Sequence, residues 1–217
     1  MGLYSVMQSV IKKIRQELNV LKGEESKDKV FSSKHEYKNL QDARDAFMRS
    51  KSKLFDVDQW SQMQGISSTF ELYGTNGQRK SGKNIAVGDY ILINLPGPLP
   101  ENWVRITSLV DQEEVAEFVV SPSEKPFERE NNDEKVSHFF KDDATSTFRV
   151  ERVGKCLIAF EIGKNEIVNN DGEQAGGRDW INTMMAEGGW LGFQKLQWKN
   201  LTEYLVHLNN IEGAQNE

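Results

Sequence analysis

The sequence is short of the residue types on which the commoner enzyme signatures are built. Among its 217 residues there are one cysteine, three histidines and five prolines. The lone cysteine, Cys156, cannot close an internal disulfide, and its place in the apolar run CLIAF marks it as a small buried hydrophobe. His35, His138 and His207 lie far apart, and none belongs to an HExxH or HxH pair, so neither a metal nor a cofactor is expected. GxSxG is absent too. No apolar run approaches the roughly eighteen residues that a membrane span requires. Gln8, Ser9, Lys12 and Lys13 interrupt what would otherwise resemble a secretory leader. An excess of basic residues is also lacking: the net charge is −6, which gives no general attraction to a polyanion and argues against nucleic acid as a partner. These absences together read as a soluble, cytoplasmic protein.

Two stretches come close to known loops and miss. GQRKSGKN, residues 77–84, has Gly77, Gly82 and Lys83 at nucleotide-loop spacing, but Asn84 stands where a magnesium-binding Ser or Thr is required. A strand rather than a helix follows, so this is an exposed basic hairpin loop. VNNDGEQAGGRDWIN, residues 168–182, fails as a calcium loop: with Gly172 at the obligatory glycine, Ile167 falls on the first ligand position and Arg178 on the last. It remains a connection into a helix capped by Asp179.

What the chain does contain is periodicity. Leu3, Met7, Val10, Ile14 and Leu21 form one stripe of an amphipathic helix over 3–21. That stripe either docks on the protein's own body or binds a partner or a second copy. GEESKDK, 23–29, then reads as a linker, so residues 1–29 stand apart from a single α+β domain over 30–217. A second helix starts at Asn39, a suitable N-cap, and carries Ala43, Ala46, Phe47 and Leu54. VFSSKHEYK, 30–38, has room for a short strand.

From Ile66 onward the period shortens to two. STFELYG, GDYILINL, WVRITSLV, VAEFVVS, VSHFF, STFRVERV and CLIAFEIG describe one curved antiparallel sheet of six to seven strands. Gly154 and Lys155 form a two-residue hairpin turn that sets Val153 opposite Cys156, Val150 opposite Ala159 and Glu151 opposite Ile158. Both faces of CLIAF are apolar, which asks for a helix on one side and a barrel interior or cavity on the other. The segment SEKPFERENNDEK, 123–135, is expected to be a loop. The cover comes from a long C-terminal helix bearing Trp190, Phe193, Trp198, Leu201, Tyr204, Leu205 and Leu208, with Gly188 and Gly189 marking a kink or break.

Chemistry-bearing residues are few. His138 lies near Asp142, Asp143, Thr145, Ser146 and Thr147, a set from which a hydrolytic site could be composed or which simply forms a loop tip and strand start. Arg105 and Glu161 either point into the enclosed side of the sheet or lie on an exposed face.

This order of elements resembles the helix-grip superfamily, the START and Bet v 1-like fold that includes polyketide cyclases. The carrying features are ARDAFMRSKSKLFDVDQWS, the meander of strands and a last helix with QWKNLTEYL, together spanning residues 30–209. No residue-specific catalytic pattern transfers. The resemblance implies a curved sheet of six to seven strands wrapped on the C-terminal helix; two N-terminal helices, read from the periodicity, precede it, and the first of them and the double glycine depart from the family's pattern. It further implies a cavity that binds a hydrophobic small molecule; Trp103, Phe160, Met184, Trp190 and Trp198 are the candidate wall residues, and the alternative for these aromatics is plain core packing. The alternatives are a hydrolase- or cyclase-type enzyme using His138, Glu161 or Arg105, and an interaction protein, including a homo-oligomer, acting through its N-terminal helix.

Overall fold

The computed structural model describes residues 28–82, 84–96, 101–126, 143–165 and 189–210, with the backbone alone for 189–195. In chain order these hold strand β1 (Lys29–Glu36), helix α1 (Leu40–Leu54), a 3₁₀ turn (Val57–Gln62), strands β2 (Thr69–Tyr73), β3 (Tyr90–Asn94), β4 (Asn102–Asp111), β5 (Val115–Pro122), β6 (Thr145–Val153) and β7 (Cys156–Lys164), and helix α2 (Gly189–Leu205). The expected N-terminal helix, the VSHFF strand, the rest of the loop after Pro126 and the Asp179-capped segment lie outside the described residues.

Helix α1 forms as its sequence dictates. Asn39 accepts a hydrogen bond from the Asp42 amide at 2.8 Å, Asp42 lies in the positive first turn, and Lys51 and Lys53 lie in the negative last turn. Ala43, Ala46, Phe47, Ser50 and Leu54 are its buried stripe. The helix does not precede the sheet, however. Strand β1 comes first and pairs with β7, so α1 is a crossover between the two edges of one sheet.

That sheet has seven antiparallel strands in the order β1-β7-β6-β5-β4-β3-β2. The β6–β7 hairpin has the register expected from its turn, with Val153 opposite Cys156 and Val150 opposite Ala159. Gly154 sits at φ +60°, a conformation that glycine adopts without the steric cost of a side chain. A bulge between Ile106 and Ser108 in β4 adds local bend and twist.

Bending brings both edges of the sheet to the same helix. From β1, the Ser33 hydroxyl meets that of Thr202 at 2.8 Å, with both residues buried. Ahead of β2 at the other edge, Ser68 donates to Gln197 Oε1 at 2.5 Å, and Asn200 Nδ2 donates to the Gly65 carbonyl at 2.9 Å. Thr202 and Gln197 lie about 140° apart around α2, at 100° per residue. The sheet therefore holds the helix from two flanks.

The end of α2 is also anchored. His207 adopts φ +63°, and the Leu208 amide bonds back to the Glu203 carbonyl at 2.8 Å, closing the last turn. Lys53 Nζ donates to the Tyr204 carbonyl at 2.9 Å, placing a cation at the negative helix end. His35 Nδ1 donates to the Val206 carbonyl and His207 Nε2 to that of Ala46, at 2.9 and 3.0 Å. Burial pushes the His207 pKa down to about 4, despite the opposing hydrogen bond to Ala46.

Between sheet and helices the core is aromatic. Trp60, from the 3₁₀ turn, has its ring 5.5 Å from Phe70, 5.9 Å from Phe118 and 5.1 Å from Phe148. Its indole N–H donates to the Lys53 carbonyl, so the apolar body is packed while the polar edge is satisfied.

Candidate functional site

The alternation of each strand decides which side chains can meet α2. On β7, Leu157 and Ala159 belong to the core, and Glu161 continues the same face at 1 % exposure. Glu161 stands opposite Phe31 on one side and Phe148 on the other. A carboxyl group thus sits in an aromatic row, where burying a charge carries a large desolvation cost. Lys29, two residues before Phe31 and also buried, is placed diagonally from it on that face.

Across the helix, the inner face ends in a second polar group. Gln197 is 2 % exposed, and its Oε1 takes the Ser68 hydroxyl. Its neighbour Trp198 lies against Phe148 at 5.6 Å and Phe70 at 6.5 Å. Asn102 continues the row formed by Phe70 and Ile93. The described inner face is therefore mainly aromatic and aliphatic, with Glu161 and Lys29 towards one flank of α2 and Gln197 and Ser68 towards the other.

Several expected site residues stand elsewhere. Trp103 is directly opposite Leu92 on the outer face, is absent from the core cluster and packs its ring 4.9 Å from Tyr73. Phe160 is opposite Arg149, also on the outer face. Neither walls the space beside α2, because consecutive strand residues point to opposite faces: if Glu161 is inside, Phe160 is outside. The expected cavity on that side of CLIAF is replaced by long charged side chains. Arg149 faces Phe160, while Glu151 and Lys34 flank Ile158. Arg149 is held between Glu117 and Glu151, whose carboxylates raise its pKa.

Arg105 is exposed on that outer face with its guanidinium 5.8 Å from the Tyr90 ring centre. It therefore cannot converge with Glu161 in one pocket. His138 and Met184 lie outside the described residues, as does the side chain of Trp190. Trp198 is thus the one expected wall residue whose described side chain faces the interior. The basic hairpin loop is tied down by acids: Arg79 pairs with Asp58 at 2.9 Å and Lys80 with Asp89 at 2.6 Å.

Among solved structures, the chain is similar to a hypothetical protein from Helicobacter pylori at 12% identity and a TM-score of 0.48, covering 86% of this chain and 92% of that one. It is similar to norcoclaurine synthase from Thalictrum flavum at 12% identity and TM-score 0.42, covering 84% and 97%. A major latex-like protein from Panax ginseng matches at 13% identity and TM-score 0.37, covering 82% and 97%. The latter two have the Bet v 1-like, helix-grip fold. No protein-family model matches the chain. No curated protein matches it either.

Sequence reasoning missed Gln197, Ser68 and Lys29. Gln197 had one available signal: it falls one residue before Trp198 and four before Leu201, on the edge of the apolar stripe, where a polar residue is turned inward. Among the described residues no three His, Cys, Asp or Glu side chains form a metal-binding group, and no helix is long and apolar enough to cross a membrane.

Proposed function

We propose that this protein binds a mainly apolar small molecule between the inner face of the sheet and α2. The observation that carries the reading is the burial of Glu161 in a cross-strand row with Phe31, Phe148, Phe118 and Leu109. A few polar groups set into an apolar wall orient a ligand, whereas simple core packing favours apolar side chains throughout. Trp198 supplies an aromatic surface on the helix side.

Native mass spectrometry on protein freshly purified from its host tests this directly. The expected result is a retained organic molecule released on unfolding, with a Glu161→Leu variant retaining less. A chain carrying nothing, together with unchanged tryptophan emission on titration with 1-anilinonaphthalene-8-sulfonate, would overturn the reading.

A further inference from the structure

We propose that Gln197 reads a hydrogen-bond acceptor on the bound molecule, an inference that rests on the ligand-binding reading above. Gln197 lies on the flank of α2 that meets the β2 edge, and both it and Ser68 are almost wholly buried, at 2 % and 1 % exposure. The 2.5 Å bond from Ser68 engages the amide oxygen and thereby fixes the direction of the carboxamide. Its other end, Nε2, is buried and has no hydrogen-bond partner among the described residues.

An amide nitrogen carries two donors, and leaving them unmet inside a protein forfeits the hydration they have in the unfolded chain. Native structures keep such groups rarely, and a group from outside the chain is one means of satisfying them. The setting selects the class of that group. Trp198, next in sequence, lies between Phe70 and Phe148, while Ile66 and Leu95 pack on the same core. A donor beside aromatic and aliphatic walls suits a flat, largely apolar molecule presenting a carbonyl or carboxylate oxygen. A pure hydrocarbon leaves the amide unmet, so Gln197 acts as a specificity residue rather than as a source of general affinity.

The test uses the full chain and two probes of similar shape, 2-acetylnaphthalene and 2-ethylnaphthalene, titrated calorimetrically. Wild type is expected to bind the ketone about tenfold more tightly, the scale of one hydrogen bond made by a buried donor. Gln197→Leu should bring the two affinities together by weakening the ketone while leaving the hydrocarbon bound. Gln197→Met, which keeps the length and flexibility of the side chain, serves where leucine disturbs packing. If the wild type shows no preference for the ketone, or both variants retain it, the role of Gln197 is overturned while ligand binding stands. If neither probe binds the wild type and no molecule is retained from the host, the ligand-binding reading fails and this inference fails with it.

Discussion

His207 should make the protein lose stability as the pH falls below neutrality, and substituting it should remove that part of the loss. In the folded chain its pKa is pushed down to about 4, first by burial and then by the nearby cations Lys53 and Arg49 and by His35. In the unfolded chain the imidazole titrates near 6.5. Between these two values the unfolded state binds a proton that the folded state refuses. Stability is therefore full above about pH 6.5 and declines as pH falls towards 4. Integrated from pH 7 to pH 5, this separation corresponds to about 2 kcal/mol. Because His207 is only partly buried, solvent screening reduces the expected effect to about 1 kcal/mol. His207→Asn is the suitable variant, since asparagine tolerates the φ of +63° at this position. Urea unfolding of both proteins at pH 7 and pH 5 isolates the term, because other titrating groups are common to the pair. The gap between wild type and variant should shift in favour of the variant by about 1 kcal/mol at the lower pH. Parallel changes in the two proteins would refute the argument.

Three further outcomes probe the grip on α2. Thr202→Val should destabilise by about 1 kcal/mol because it orphans the buried Ser33 hydroxyl, and Ser33→Ala by less because the Thr202 hydroxyl keeps its bond to the Lys199 carbonyl, with the double variant costing less than the sum of the two; a double-mutant cycle in urea reads the coupling. Gly65→Ala should cost more than Gly82→Ala, although both glycines have positive φ: a Cβ at Gly65 would lie 2.6 Å from Asn200 Nδ2, whereas one at Gly82 meets nothing within 4 Å. The difference, of the order of 1 kcal/mol, is readable by thermal melting and would vanish if Asn200 yields freely. Trp60→Ala should lose about 3–5 kcal/mol, the range for a large buried aromatic, since its ring touches three phenylalanines; a smaller loss by chemical denaturation would mean that the centre of the core lies elsewhere.

How much of this could be read from the sequence depended on how local the determinant is. The start of α1 at Asn39 and the β6–β7 register were legible because each rests on a few adjacent residues: a cap and its amide, a glycine turn and the strands it joins. The choice of face was harder. CLIAFEIG is apolar on both sides, and only long-range pairing shows that Leu157, Ala159 and Glu161 turn towards α2 while Phe160 turns away. Trp103 was hard to place for a related reason: it is buried at 3 % exposure, but only its pairing with Leu92 shows that it lies on the sheet face away from α2. The pairing of Ser68 with Gln197 joins residues 129 positions apart, and no local rule of turn, cap or period relates them.

The polar residues differ in what they can say about function, and magnitudes separate them. Arg149 between Glu117 and Glu151 is partly exposed, and ion pairs of that kind contribute about 0–1 kcal/mol. Such a group can be present for solubility or for covering the outer face, so it discriminates little. Asp89 is buried, but Lys80 and the Ala86 amide both meet it, and a connection between β2 and β3 accounts for it fully. Gln197 is different: one end of its amide is held by Ser68 and the other meets no described partner, at a cost of about 1–3 kcal/mol relative to a satisfied group. Leucine at that position would fit the same aromatic surroundings without this cost. A fold that needed only to grip its helix could use Ser33 and Thr202 on one flank and the Asn200–Gly65 bond on the other. On the proposed ligand-binding reading, the extra buried amide serves recognition rather than packing: the aromatic residues would define where a molecule lies and Gln197 what it must carry.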